Sequence, residues 1–276
     1  MKSMLIECDN LSAMKRLLPD LAERIDVMPV DPPYNTAVPY TGYRDSAFAG
    51  GWKRFMKKRL NIAFRLLSAH GVMFIHIDEK EFCSLYSLCG RIFGKENLMS
   101  LIWKKTNGRF DGNREEKPLE SGVRRTHEYV VVCFKDKRNT VLHPVRQPVW
   151  NGTYYEEVTK PLETILDDLG TNASAKDELE EIFGERNVFR TPKPVKLIKE
   201  LIRAGSEKNS IVMDFFAGSG TTGQAVMELN REDGGNRRFL LITNDENDTC
   251  EKVALPRLRR AVELCGCEDF SYEKWC

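Results

Sequence analysis

Short apolar runs alternate along this chain with longer stretches whose apolar residues return every third or fourth position. IDVMPV (25–30) reads as a buried strand, and VMFIHID (72–78), LMSLIWKK (98–105), EYVVVCFK (128–135) and RRFLLITNDEN (237–247) as further strands. GWKRFMKKRLNIAFRLLSAHG (51–71) reads as a long amphipathic helix closed by Gly71, and EKEFCSLYSLCGRIFG (79–94) as a second helix closed by glycine. SAKDELEEIFG (174–184) predicts a short helix with a serine cap. TPKPVKLIKELIRAGS (191–206) predicts a helix opened by prolines, which suit a first turn. SIVMDFFAGSGTTGQAVMELN (210–230) reads strand, glycine turn, helix, and KVALPRLRRAVELCG (252–266) is the last helix.

Strands and helices in this rhythm imply an α/β fold with a mostly parallel sheet and helices on both faces. The rhythm fails between two of the strands, where TNGRFDGNREEKPLESGVRRTH is polar and carries three glycines. It stays weak from Asn139 to Arg190, with Pro144, Pro148 and Pro161. Residues 104–190 are therefore expected to be an insertion between two halves, 1–103 and 191–276.

Composition adds mainly exclusions. With 41% hydrophobic and 30% charged residues the 276-residue chain is expected to be a soluble globular protein. It has no apolar run of the roughly 18 residues a membrane span needs. MKSMLIECDN has polar residues where a signal peptide needs an apolar block, so the expected compartment is the cytoplasm. A net charge of +1 gives no global basic field, although a local stripe suffices to bind nucleic acid. The eight cysteines are scattered, with no CxxC pair, and are expected to be reduced structural thiols; no metal site is read.

Two strand ends carry the chemistry. In DFFAGSGTTG, Gly218, Gly220 and Gly223 fit G-x-G-x-x-G between a strand and a helix, where glycines let the backbone turn sharply and approach a ligand. Asp245 and Glu246 lie at the end of the next strand, where a ribose-binding side chain is expected. The pattern alone leaves NAD, FAD and S-adenosylmethionine open. Asp214, immediately before the turn, can meet a cationic amino group, which tilts the choice toward S-adenosylmethionine.

The other strand end is DPPYN. The N6 amine of adenine and the N4 amine of cytosine are poor nucleophiles, because the lone pair is delocalised into the ring. Two acceptors close together can hold both N–H bonds and free that pair. Asp31 offers one, and a carbonyl of the Asp31-Pro32-Pro33 turn, pre-organised by the fixed φ of proline, offers the other. Tyr34 can stack on the base.

DPPYNT (31–36) ahead of DFFAGSGTT (214–222) resembles the class β amino methyltransferases of DNA, whose fold is circularly permuted. The resemblance continues through ECDNLSAMKRLLP (7–19), GVMFIHIDEKE (71–81), IFGKENL (92–98), RTHEYVVV (125–132) and TPKPVKLIKELI (191–202), leaving out 136–185. EDGGNRRFLLITNDEN (232–247) is most similar to adenine methyltransferases of the type III restriction–modification group. The resemblance implies a Rossmann-like S-adenosylmethionine-dependent methyltransferase fold. Its catalytic half would be 1–103, its target-recognition region 104–190 and its cofactor half 191–276. It implies catalytic roles for Asp31, Pro32, Pro33 and Tyr34. Cofactor contacts would come from Asp31 and Pro32, from Thr191, Pro192 and Lys193, from the Asp214-Phe215-Phe216-Ala217-Gly218-Ser219-Gly220-Thr221-Thr222 run, and from Asn244 and Glu246. Aspartate at the head of the motif favours adenine over cytosine, for which relatives more often carry serine.

Nucleic-acid contact is expected from Lys53, Arg54, Lys57, Lys58, Arg59 and Arg65, a stripe without acids. Lys104, Lys105, Arg109, Arg114, Lys117, Arg124 and Arg125, with Asn107 and Asn113, are expected to read sequence. Tyr40, Tyr43 and Phe48 would serve as lid or stacking groups, and His127 as a structural residue. The sequence thus predicts site-specific adenine-N6 methylation of DNA on a flipped base. Open alternatives are cytosine-N4 or RNA methylation, and a DNA-binding subunit inactive without its partner. A restriction or specificity subunit and a homodimer are the further partners to consider.

Overall fold

The apolar runs settle side by side and the periodic segments cover them. The computed structural model describes residues 1–36, 48, 50–106, 123, 125–244 and 246–275. Its strands are β1 (Met4–Glu7), β2 (Ile25–Val30), β3 (Leu67–Ile77), β4 (Leu98–Lys104), β5 (His127–Phe134), β6 (Val145–Trp150), β7 (Tyr155–Lys160), β8 (Ile165–Leu166), β9 (Ile211–Asp214), β10 (Arg238–Thr243) and β11 (Ser271–Lys274). Nine of them form one sheet in the order β11-β1-β10-β9-β2-β3-β5-β4-β8, while β6 and β7 pair apart as an antiparallel hairpin. Only β5 runs against its neighbours in the large sheet; the other pairs are parallel, as the alternation of elements predicts.

Successive side chains of a strand point to opposite faces, and here both faces are buried. Val72, Phe74, Val130, Val132, Val212 and Leu241 face a core shared with α5 (Val195–Gly205), α6 (Thr221–Asp233) and α7 (Leu255–Cys265). Met73, Ile75, Val131, Cys133, Met213 and Ile242 face a second core, shared with α1 (Asn10–Leu21), α2 (Trp52–Leu66) and α3 (Glu79–Ile92). The remaining helix, α4 (Asn172–Phe183), meets the first turn of α5, where Glu178 accepts the Val195 N–H at 3.1 Å.

Several boundaries differ from the sequence reading for identifiable reasons. The helix expected over 51–71 stops at Leu66, because Leu67 pairs with Ile25 and opens β3 five residues before Val72; Gly71 falls within that strand, at a shift in register. α4 is capped by Thr171 and not by Ser174: Thr171 Oγ1 accepts the Ser174 N–H, and Ser174 Oγ accepts the Thr171 N–H in return. The short segments β1, α1 and β11 are additions, with β1 lying between β10 and β11. Within 104–190, β5 and β8 belong to the large sheet and the β6–β7 hairpin stands outside it. That hairpin climbs along α5 from the His143–Ala204 backbone bond to the Arg146 N–H on Glu200. Cys8 is disulfide-bonded, which corrects the expectation of a thiol there; Cys83, Cys89, Cys133, Cys250, Cys265 and Cys267 are thiols. Among the described residues no helix is long and apolar enough to cross a membrane.

The third glycine of the turn motif shows how tightly α6 meets its neighbours. A Cβ on Gly223 would lie 2.4 Å from Leu258 Cδ2 and 2.9 Å from Leu241 Cδ1. Alanine improves helix propensity by about 1 kcal/mol, whereas overpacking a filled core costs about 1–3 kcal/mol. Gly223→Ala is therefore expected to lower stability despite its better propensity, read as a lower urea midpoint with an unchanged slope; a raised midpoint would contradict this packing.

Candidate active site

β2 and β9 are parallel neighbours, with Val27 opposite Val212, so their carboxyl ends deliver Asp31 and Asp214 to one edge of the sheet. In an open α/β sheet that edge is where ligands sit. Asp31 has a half-exposed carboxylate whose Oδ1 accepts from the Tyr34 hydroxyl at 2.6 Å and whose Oδ2 accepts from Lys193 Nζ at 2.7 Å. Asn35, at φ 58°, turns the chain away and donates to Glu81. Asparagine tolerates that left-handed conformation better than most residues. The Trp52 indole donates to the Pro33 carbonyl at 2.6 Å and so takes up one acceptor of this turn.

Lys193 joins a second carboxylate to this group. Its Nζ lies 3.4 Å from Glu128 Oε2 and 3.1 Å from the Tyr34 oxygen, and the Tyr34 hydroxyl also lies 2.8 Å from Glu128 Oε2. Lys105 approaches the other Glu128 oxygen at 3.6 Å. The ammonium sits between the rings of Tyr34 and Trp103, 5.3 and 5.7 Å from their centroids. Burial pushes the Asp31 carboxyl up, and Lys193 only partly restores it. Burial pushes Glu128 up as well, but Lys193 and Lys105 together hold it below its ordinary value. Burial pulls the Lys193 ammonium down, and the two carboxylates more than offset this, so it stays charged. The Tyr34 phenol, raised by burial and by both carboxylates, remains a donor. His76 lies on the same side, edge-on to Trp103; burial, then Lys193, lowers it to about 3, so its ring is neutral.

The second turn is built from the same kind of constraint. Asp214 Oδ1 accepts the Phe216 N–H at 2.9 Å and Oδ2 accepts the Thr222 hydroxyl at 2.6 Å, which ties the strand end to the start of α6. Burial raises Asp214 to about 7 against the Thr222 and Phe216 bonds, and the Asp31 charge adds to the rise. Gly218 at φ 48° and Gly220 at φ 81° take backbone conformations that a side chain would strain. Asn10 Nδ2 donates to the Phe215 carbonyl at 2.6 Å. From the other side Arg257, fully buried, donates from Nη1 to Ser219 Oγ and Thr221 Oγ1 at 3.0 and 2.8 Å and from Nε to Gln224. Burial lowers Arg257 to about 10, with Glu178 opposing, and it remains a cation.

The residues singled out in the sequence fall into three groups. Asp31, Pro32, Pro33, Tyr34 and Lys193 come together, with Lys193 in the carboxylate cluster; Pro192 beside it is buried and Thr191 is exposed. Asp214 through Thr222 form the second turn, with the Phe215 ring in the core beneath it. Asn244 is exposed past the end of β10 and Glu246 half-buried in a short 3-10 turn. Asp245, Tyr40, Tyr43, Asn107, Arg109, Asn113, Arg114, Lys117 and Arg124 lie outside the described residues. Phe48 packs on Phe55, and His127 meets Tyr129 edge-on. Lys104, Lys105 and Arg125 are each engaged by carboxylates, of Asp167, Glu128 and Asp78. In the α2 stripe Lys53, Arg54, Lys57, Lys58 and Arg65 are on or near the surface, but Arg59 is not a surface cation. It is buried against Asp9, Asn10 and the Phe55 ring, because the helical period turns position 59 to the core.

Glu128, His76, Trp52, Asn10 and Arg257 were not singled out from the sequence. For Glu128 the available signal was an acid opening the otherwise apolar EYVVVCF, whereas Arg257 is one of three arginines in LPRLRR and carries no such signal.

The chain is 27% identical to the StyLTI Mod subunit, of a type III restriction-modification enzyme from Salmonella typhimurium, over 89% of the chain and 53% of that protein. It is 26% identical to the EcoPI Mod subunit of Escherichia phage P1 over 89% of the chain and 58% of that protein, so it spans little more than half of either relative. The fold is shared with a DNA modification methylase from Thermus thermophilus, at a TM-score of 0.61 and 17% identity with all of both chains covered. It is shared also with the M1.HpyAVI–SAM complex, at a TM-score of 0.56 and 18% identity over 92% of this chain and all of that one. The family model described as DNA methylase matches residues 25–255, a span that holds both strand-end turns and everything between them, and the chain belongs to that DNA methylase family.

Proposed function

We propose that this chain transfers a methyl group from S-adenosyl-L-methionine to the N6 amine of adenine in DNA, acting in the cytoplasm on a base turned out of the duplex. The observation that carries the reading is the meeting of Asp31 and the Asp214–Thr222 turn on neighbouring strands, each with a buried or half-buried carboxylate at the same edge.

The residues fit the cofactor. The Gly218–Gly220 turn admits a close backbone approach, and the Asp214 carboxylate, one bond on each oxygen, retains lone pairs for a cationic amino group. Asp31 and Pro32 at the facing turn, Thr191, Pro192, Lys193, and Asn244 and Glu246 at the end of β10 complete the proposed contacts. The cofactor supplies an electrophilic methyl group. The chain's own residues supply the amine's surroundings: Asp31 accepts one N–H, the Asp31 or Pro32 carbonyl accepts the other, and Tyr34 lines the pocket. Flipping makes this contact reachable, since an exocyclic amine within the stack cannot be approached in line. The alkylated nitrogen loses its extra proton readily, so Asp31 serves as acceptor and not as a strong base.

The Mod names of the relatives support a modification role within a restriction–modification enzyme and make a restriction subunit the proposed partner. Target recognition is proposed within residues 104–190, between the halves 1–103 and 191–276, but apart from β5 and β8, which belong to the large sheet, β5 bringing Glu128 to the site. The β6–β7 hairpin supports this by exposing Trp150, Tyr154 and Tyr155, side chains able to stack on bases.

The reading is tested by incubating the chain with labelled cofactor and unmethylated DNA and identifying the product nucleoside by mass spectrometry, with N6-methyl-2′-deoxyadenosine expected; absence of label in any DNA, with cofactor bound, refutes it. Asp31→Asn is expected to slow single-turnover transfer by about 10²–10³-fold, the range seen when one pre-organised polar partner is removed. Cofactor affinity should change little; parallel losses in both would remove the division of labour between the two acids. Asp214→Asn should weaken cofactor binding first. Because a carboxyl raised to about 7 must be ionised to hold a cation, cofactor affinity should rise with pH up to about 7 and level off above it. Calorimetric titration across that range should find the slope in the parent and a flat profile in Asp214→Asn.

A further inference from the structure

Both oxygens of Asp31 are already engaged by the chain's own groups, Tyr34 on one and Lys193 on the other. On the reading above, Asp31 must hold the substrate amine while positive charge grows on its nitrogen. An ammonium left 2.7 Å from the same carboxylate opposes that growth, because it cancels the charge that would stabilise it. Lys193 cannot simply be released. It is buried, and a buried cation stripped of its counter-charge is strongly unfavourable. It needs a second carboxylate within reach, and Glu128 stands 3.4 Å away.

We infer that Glu128 is a positioning residue that draws Lys193 off Asp31 when the target amine arrives, so that Lys193 has two stations and the catalytic carboxylate is closed in one and open in the other. The inference rests on the proposed methyl transfer.

The surroundings suit the exchange. Glu128 is the second residue of β5, an internal strand between β3 and β4, and its backbone pairs with Trp103 of β4, which holds the base of its side chain in place. Asp31 follows the end of β2 in the turn and has the more exposed side chain of the two, 27% against 7%. Tyr34 bridges the two carboxylates, at 2.6 and 2.8 Å, with a single proton to donate. It can shift that proton from one carboxylate to the other as Lys193 moves the opposite way. Lys105 lies on the far Glu128 oxygen, 3.6 Å off, and leaves the near oxygen to Lys193. His76 is neutral, and neither of its ring nitrogens has a hydrogen-bond partner among the described residues, so it adds no competing charge. Of the other acids whose charge is felt here, Asp214 accepts from Thr222 and Phe216 and Asp78 faces Arg125 at 3.7 Å.

The inference makes a prediction that a purely structural role does not. Glu128→Gln removes the second station and leaves Lys193 on Asp31. Single-turnover transfer at saturating cofactor should fall about tenfold or more, with cofactor and DNA affinity measured separately. Adding Lys193→Gln to that variant should then raise the rate again, by about tenfold, since contacting charges couple by up to this order or more. Two merely structural residues would give a double variant no faster than Glu128→Gln, and that outcome overturns the inference, as does a Glu128→Gln chain that turns over like the parent. Should Glu128→Gln not fold, Glu128→Asp provides the same comparison: it keeps the charge but withdraws it from Lys193, and Lys193→Gln should again restore the rate. A parent chain that binds cofactor yet methylates no DNA overturns the underlying reading and this inference with it.

Discussion

The ion cluster at Lys193 decides how three distant segments of the chain meet. The ammonium comes from the loop before α5, one carboxylate from the end of β2 and the other from the start of β5, and all three are withdrawn to different degrees from water. Buried charges are tolerable only when matched, and removing one member leaves its partner uncompensated at a cost of several kcal/mol. The cluster therefore constrains position more than it adds stability. The loop 191–194 must pass over the sheet edge between β2 and β5, and Tyr34 must turn inward to complete the set of bonds.

A similar constraint shapes the second turn, here through hydrogen-bond satisfaction. A tight backbone turn at a strand end offers carbonyls and N–H groups that need partners, and most come from other elements. Asn10 takes the Phe215 carbonyl, Ile242 O accepts the Ala217 N–H, and Asp214 takes the Phe216 N–H. Arg257 holds the hydroxyls of Ser219 and Thr221 from beneath. Arg59 in turn holds Asn10, so α2 on one face and α7 on the other both brace a loop that belongs to neither. Such support from both sides is what keeps a functional loop in a single conformation.

This division explains what could be read from the residues alone. The strand and helix periods were legible because burial on both faces leaves long apolar runs, as in IDVMPV and EYVVVCF. The two turns were legible because glycine, proline and aspartate at strand ends have few other uses. The bracing residues were not. Arg257 and Arg59 look like surface cations in helices rich in arginine and lysine, and only the phase of each helix against its sheet turns them inward. Glu128 looks like one more charge at the mouth of a strand. Its role depends on Lys193, 65 positions later in the chain, arriving within 3.4 Å. Thr171 was missed as a cap for a simpler reason: Ser174 is also a good capping residue, and in the reciprocal arrangement both are used. β1 and β11 are four residues each, too short for any period to register.

The two acids at the sheet edge are not independent. Asp31 contributes to the rise of Asp214, so a negative charge at one site makes the other harder to ionise. A cation brought to Asp214 reverses that effect, since it stabilises the ionised form there and screens its field at Asp31. The chain answers the same problem with its own side chains, by placing Lys193 on Asp31 and Lys105 on Glu128. Any cationic ligand at the neighbouring turn adds to a field that these lysines already supply, and so lessens the need for Lys193 to stay where it is. Electrostatics alone thus favours filling the Asp214 turn before Asp31 gives up its lysine, and an amine can then meet a carboxylate freed for it.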